Sequence, residues 1–102
     1  MRVVKPRTVR EWMRKHPLAR AGLERWLQAA KRAEWQRFTD VRGEFASVDR
    51  VKVDSGKPVF VFNIGGNRFR LIAAIHFNLQ RVYALRFLSH AEYDKDNWKR
   101  DL

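Results

Sequence analysis

Proton transfer near neutral pH falls to a handful of side chains in this 102-residue sequence, which has no cysteine, three histidines and two tyrosines. The lack of cysteine removes thiolate nucleophiles, disulfides and cysteine-ligated metal sites together. His16, His76 and His90 stand far apart with no series of neighbouring ligands, so no structural zinc site is expected. No carboxylate cluster suits a two-metal nuclease, and Gly65-Gly66 lacks the Lys-Ser ending of a phosphate-binding loop. No cofactor is expected. What the chain has in quantity is cation. Its 22 Lys and Arg against 11 Asp and Glu give a formal charge of +11, which calls for an anionic partner, nucleic acid first.

Strand parity gathers part of that charge near one histidine. RFRLIAAIHF, Arg68 to Phe77, and RVYALRFL, Arg81 to Leu88, read as two strands joined by Asn78-Leu79-Gln80. Alternation puts Arg68, Arg70, Ile72, Ala74 and His76 on one face and Phe69, Leu71, Ala73, Ile75 and Phe77 on the other. Pairing Phe77 with Arg81 predicts Leu88 opposite Arg70, Arg86 diagonal to Arg70 on the same face, and His90 near Arg68. Tyr93 and Asp94 follow within a few residues. Such a group suits cleavage of an RNA phosphodiester by its own 2′-hydroxyl. One side chain takes the nucleophile's proton, another protonates the leaving oxygen, and cations stabilise the phosphorane. Histidine suits acid or base work near neutrality, which nominates His90. Tyr93 can donate a proton, and Arg68, Arg70 and Arg86 match paired phosphate oxygens. Three readings fit the spacing alone: an arginine–histidine active site, a noncatalytic nucleic-acid surface, and a basic protein-interaction domain. Alternating arginines also describe a plain solvated strand face.

The rest of the chain must position that group. Arg2 to Lys5 reads as a short strand, with Pro6 as a boundary. Thr8 to His16 reads as a helix with Val9, Trp12 and Met13 on one face. Pro17 suits the first turn of a second helix over Leu18 to about Glu34, whose apolar stripe is Leu23, Trp26, Leu27 and Ala30, although Gly22 weakens its middle. Trp35 and Phe38 are expected as core anchors, and residues 39–46 as a turn or short irregular helix. Val48, Val51 and Val53 alternate weakly before a turn over residues 54–58. PVFVFNI, Pro58 to Ile64, is apolar on both faces, as an interior strand requires. Gly65-Gly66-Asn67 is a strong turn, and HAEYDKDNWKR ends the chain as a helical turn or short helix.

These elements predict an α+β fold: an N-terminal strand, two helices packed on one face, and an antiparallel sheet, in a single domain over residues 1–102. No apolar run approaches the roughly 20 residues that cross a membrane. MRVVKPRTVREW lacks the apolar stretch of a secretory signal. A cytoplasmic protein without membrane contact is expected. The charge divides as +7 on residues 1–50 (13 basic, 6 acidic) and +4 on residues 51–102 (9 basic, 5 acidic). Arg7, Arg10, Arg14, Lys15, Arg20, Lys31 and Arg32, on the two helices, suit phosphate contacts, an acidic protein partner, or simple solvation.

Several segments, in order, resemble the HigB family of RelE-like bacterial toxins. They are VFNIGGNRFRL and RFLSHAEYDK within the stretch from Phe60, and VVKPRTVREWMRKHP with LERWLQAAKRAEW before it. The resemblance implies a RelE-like fold and a ribosome-dependent mRNA endonuclease, and the lack of a tight carboxylate cluster favours a metal-independent mechanism. Its implied partners are mRNA on the ribosome, ribosomal RNA, and a HigA-type helix-turn-helix antitoxin through which any DNA contact would be made. NRFR falls on Asn67, Arg68, Phe69 and Arg70, and SHAEYDK puts His90, Tyr93 and Asp94 in the catalytic region. The resemblance thus nominates His90, Tyr93, Arg70 and Arg86 as catalytic, and Arg68, Asn67 and Asp94 as substrate-binding. Asp94 stands between orienting His90 or a base edge and capping the last turn. Gly66 departs from the family pattern, where a charged residue often stands. The competing function is a nonenzymatic RNA- or ribosome-binding module that inhibits translation without cleavage.

Overall fold

PVFVFNI lies inside a five-stranded sheet in a computed structural model that describes residues 1–102. The strands are β1 (Arg2–Val4), β2 (Asp49–Lys52), β3 (Pro58–Ile64), β4 (Phe69–His76) and β5 (Arg81–Ser89), in the order β1-β5-β4-β3-β2. β2 to β5 form the predicted antiparallel meander, and β1 adds in parallel beside β5, so the sheet is mixed at that edge.

Three helices cover one face: α1 (Pro6–Lys15), α2 (Arg20–Arg32) and α3 (Phe38–Glu44). α1 begins at Pro6 rather than Thr8, because a proline at the first helical position loses no hydrogen bond. A 3-10 turn, Pro17–Ala19, precedes α2. α3 realises the helical alternative for residues 39–46. The carboxylate of Asp40 closes its entry by accepting from the backbone N–H of Gln36 at 2.8 Å and of Arg37 at 3.3 Å. Val9, Leu23, Trp26, Leu27 and Val41 from the helices bury against Phe60, Phe62, Leu71, Ala73 and Val82 from the sheet. Trp35 is buried with them, and Phe38 packs half-buried on the same core.

Gly22 has a packing reason. A Cβ there would lie 2.9 Å from Ile64 Cγ2 and 3.1 Å from the Gly65 nitrogen, so α2 rests directly on the end of β3.

The other sheet face is covered too, by the end of the chain. α4 (His90–Asp94) and a 3-10 turn (Asn97–Asp101) fold across it, and Trp98 packs with Val53, Val59, Val61 and Ile72. One-sided helix packing therefore holds for α1 to α3, while this C-terminal segment supplies the opposite layer. No helix is long and apolar enough to cross a membrane.

The β4–β5 register is correct where it matters and offset elsewhere. Phe77–Leu79 form a 3-10 turn that Gln80 closes at φ 54°, so pairing starts at His76↔Arg81 rather than Phe77↔Arg81. Leu85 then stands as an extra residue between the pairs Ala73↔Ala84 and Ile72↔Arg86, and this bulge restores the expected Arg70↔Leu88.

Candidate active site

The site is built where the β3–β4 turn, the end of β5 and α4 meet. Gly65 and Gly66 adopt φ of 64° and 69°, a region that side-chain-bearing residues seldom enter, and they form the hairpin turn. Asn67 and Arg68 complete the turn and are exposed. The backbone N–H of His90 donates to the carbonyl of Arg68 at 2.9 Å, which carries the β5 ladder one step past the strand and brings the two segments together as the spacing predicts.

Arg70 is not a free clamp. It is 8% exposed, and its guanidinium donates to Asn67 O at 3.2 Å, Phe69 O at 3.1 Å and Asn67 Oδ1 at 2.6 Å. Three of a guanidinium's five N–H donors thus hold the turn, leaving two unengaged. No carboxylate forms an ion pair with it. Its charge stays uncompensated inside the site, where water screens it less than at the surface.

α4 starts cleanly because Ser89 and Glu92 cap each other. The Glu92 N–H donates to Ser89 Oγ at 3.2 Å, and the Ser89 N–H donates to Glu92 Oε1 at 2.9 Å. The Ser89 backbone N–H first, and the Ser89 hydroxyl second, hold the Glu92 carboxyl below its ordinary 4.5. One helical turn then aligns the chemistry, since residues three and four apart share a face. His90 Nε2 lies 3.2 Å from Asp94 Oδ2. Tyr93 lies half-buried, with the Arg70 Cζ 5.7 Å from its ring centroid.

Burial pushes the Tyr93 phenol above the ordinary tyrosine value of 10.0. Asp49 adds to that shift and Arg70 opposes it. The phenol therefore keeps its proton at neutral pH. Arg86 is half-buried opposite Ile72, with one amino group donating to Leu85 O at 2.7 Å. It lines an open cavity of about 320 Å³ with Leu88, Glu92, Lys95 and Trp98. His76 lies exposed at the far end of β4, edge-on to Tyr83, outside the site. His16 ends α1 on the helix side, packed edge-on against Phe69 and Phe87.

Two site residues escape the sequence reading. Asp49 shares a face with its partner Val61, hence with Ile72 and Tyr93. Parity with Val51 and Val53 was the only signal for it. Trp98 stacks on Tyr93, and nothing in its short polar surroundings marks it. No group of three or more His, Asp or Glu side chains comes together.

A meander backed by helices, with arginines, a histidine and a tyrosine at one end of the sheet, defines a small basic α+β domain. The profile of the HigB toxins, RelE-like toxic components of toxin–antitoxin systems, matches residues 19–96, and the chain belongs to that family. It is 28% identical to an mRNA interferase HigB of Escherichia coli over 93% of this chain and 90% of the relative. It is 24% identical to an mRNA interferase HigB of Shigella flexneri, over 92% and 88% respectively.

Proposed function

We propose that this toxin cuts translated mRNA on the ribosome, using the ribose 2′-hydroxyl as nucleophile and no metal. The observation that carries the reading is the grouping of His90, Asp94, Tyr93 and Arg70 at one end of the sheet. His90, with Nε2 3.2 Å from Asp94 Oδ2, takes the 2′-hydroxyl proton on a ring nitrogen. The 2′-oxygen attacks the adjacent phosphorus, the bond to the 5′-oxygen breaks, and Tyr93, which holds its proton, passes it to that leaving oxygen. The products are a cyclic phosphate and a free 5′-hydroxyl. Arg86 and the unengaged donors of Arg70 stabilise the phosphorane charge. Exposed Asn67 and Arg68 hold the RNA strand beside the turn.

Ribosomal RNA is the proposed partner of the exposed cations on α1 and α2, among them Arg7, Arg10, Arg14 and Arg20. A HigA-type helix-turn-helix antitoxin would neutralise the toxin and make any DNA contact. The protein would act in the cytoplasm, where its substrate is. The names of the Escherichia coli and Shigella flexneri relatives support mRNA as the target.

The test is to map mRNA 5′ ends with purified, folded protein, with and without translating ribosomes. New 5′-hydroxyl ends that require ribosomes are expected. Inhibited translation with intact mRNA would overturn cleavage and favour a ribosome-binding module.

A further inference from the structure

We infer that Trp98, in a turn beyond the family match, is a positioning residue that fixes the Tyr93 ring for RNA cleavage. The inference rests on the role proposed above for Tyr93. The two rings stack at 5.3 Å with 20° between their planes, and the Trp98 indole N–H donates to the Tyr93 carbonyl at 3.1 Å. One side chain thus constrains both the plane of the phenol ring and the backbone that carries it.

α4 could not do this alone. It has five residues, and a helix that short has no stability of its own in water. Trp98, by contrast, is 6% exposed and wedged against Val53, Val59, Val61 and Ile72, so the sheet dictates its orientation. The turn bearing it is fastened on both sides. The Asp54 N–H donates to Lys99 O at 3.2 Å, and Lys99 Nζ lies 3.3 Å from Asp96 Oδ1. Position passes from sheet to indole to phenol. Without the indole the phenol ring would be free to leave its place beside Arg70, and a misplacement of about 1 Å costs on the order of 100-fold in rate.

The experiment is a double-mutant cycle of Trp98→Leu and Tyr93→Phe, reading single-turnover mRNA cleavage on translating ribosomes, ribosome affinity and thermal stability. Trp98→Leu should lower the cleavage rate at least about tenfold, leave ribosome affinity unchanged, and add nothing in the Tyr93→Phe background. An independent readout uses Tyr83→Phe, which leaves Tyr93 the sole tyrosine. In that protein Trp98→Leu should move the phenol's spectroscopic titration midpoint down towards 10.0. A wild-type cleavage rate, or equal losses in both backgrounds, overturns the inference. If Tyr93→Phe itself cleaves normally, the role proposed for Tyr93 fails instead. The titration then decides alone whether Trp98 holds the ring, and an unmoved midpoint overturns it. Should Trp98→Leu not fold, Trp98→Met replaces it, and failure of both to fold makes Trp98 a determinant of folding only and overturns the positioning role.

Discussion

Tyr93→Phe should separate chemistry from folding. The Tyr93 ring is held by its stack on Trp98 and by Arg70, and its backbone carbonyl by the Trp98 indole. None of these passes through the phenolic oxygen, so phenylalanine keeps every one. The stability change should stay within about 0.5 kcal/mol, as for substitutions that leave packing intact. For a domain of this size that is a shift in Tm of about 2–4 °C or less. Catalysis should respond very differently, because the lost proton is the one proposed to reach the leaving oxygen. Removing a positioned general acid costs about 100- to 10,000-fold, or about 2.7–5.5 kcal/mol in the barrier. The assay is single-turnover cleavage of a defined mRNA on programmed ribosomes, with calorimetry on the same protein. A rate within about threefold of wild type at unchanged Tm would remove Tyr93 from the reaction.

Asp94→Asn keeps the side-chain shape but loses the carboxylate that meets His90 Nε2 at 3.2 Å. Cleavage should fall by about tenfold or more, as for loss of an orienting partner, with ribosome binding unchanged in a sedimentation assay. In Tyr83→Phe protein, the alkaline absorbance change of Tyr93 should have its midpoint above 10.0. Because the folded state binds that proton more tightly, its stabilising effect is complete below 10.0 and is lost as pH rises through the folded value, which denaturation across that window would record. Gly22→Ala gains about 1 kcal/mol of helix propensity but drives a methyl to 2.9 Å from Ile64 Cγ2. Overpacking costs about 1–3 kcal/mol. Chemical denaturation should therefore find the variant about 1 kcal/mol less stable, and a more stable variant would refute the close approach of α2 to β3.

The legible parts of the fold are those with a strong period or a demanding turn. PVFVFNI between polar turns, and Gly-Gly where φ is positive in both residues, leave little choice, and β3, its turn and β4 fall where they are expected. The helical stripe of α2 is equally plain, and Gly22, which weakens it on propensity, turns out to be the residue that lets α2 touch β3. Arg70 is legible as a member of the site but not in its posture. An Arg-x-Arg alternation reads identically whether the arginine faces water or lies beneath a chain segment that arrives from elsewhere. That segment is the least legible part. Five residues of α4 and five of the following turn are too short for a period to emerge, so their path across the sheet is set by tertiary burial of Trp98. The β4–β5 offset was hidden for a related reason: a single extra residue at Leu85 leaves composition and alternation nearly unchanged.

That extra residue makes the strand pair a vernier. The 3-10 connection starts the ladder one step away from the alignment used at the arginine end, and Leu85 takes up the difference. The offset set at the distant turn is thus absorbed at Leu85 and does not reach the end of the sheet that carries Arg70 and His90. Deleting Leu85 alone would make Ala73↔Ala84 and Ile72↔Arg86 consecutive pairs, straightening the strand while Arg86, Phe87 and Leu88 keep their faces and partners.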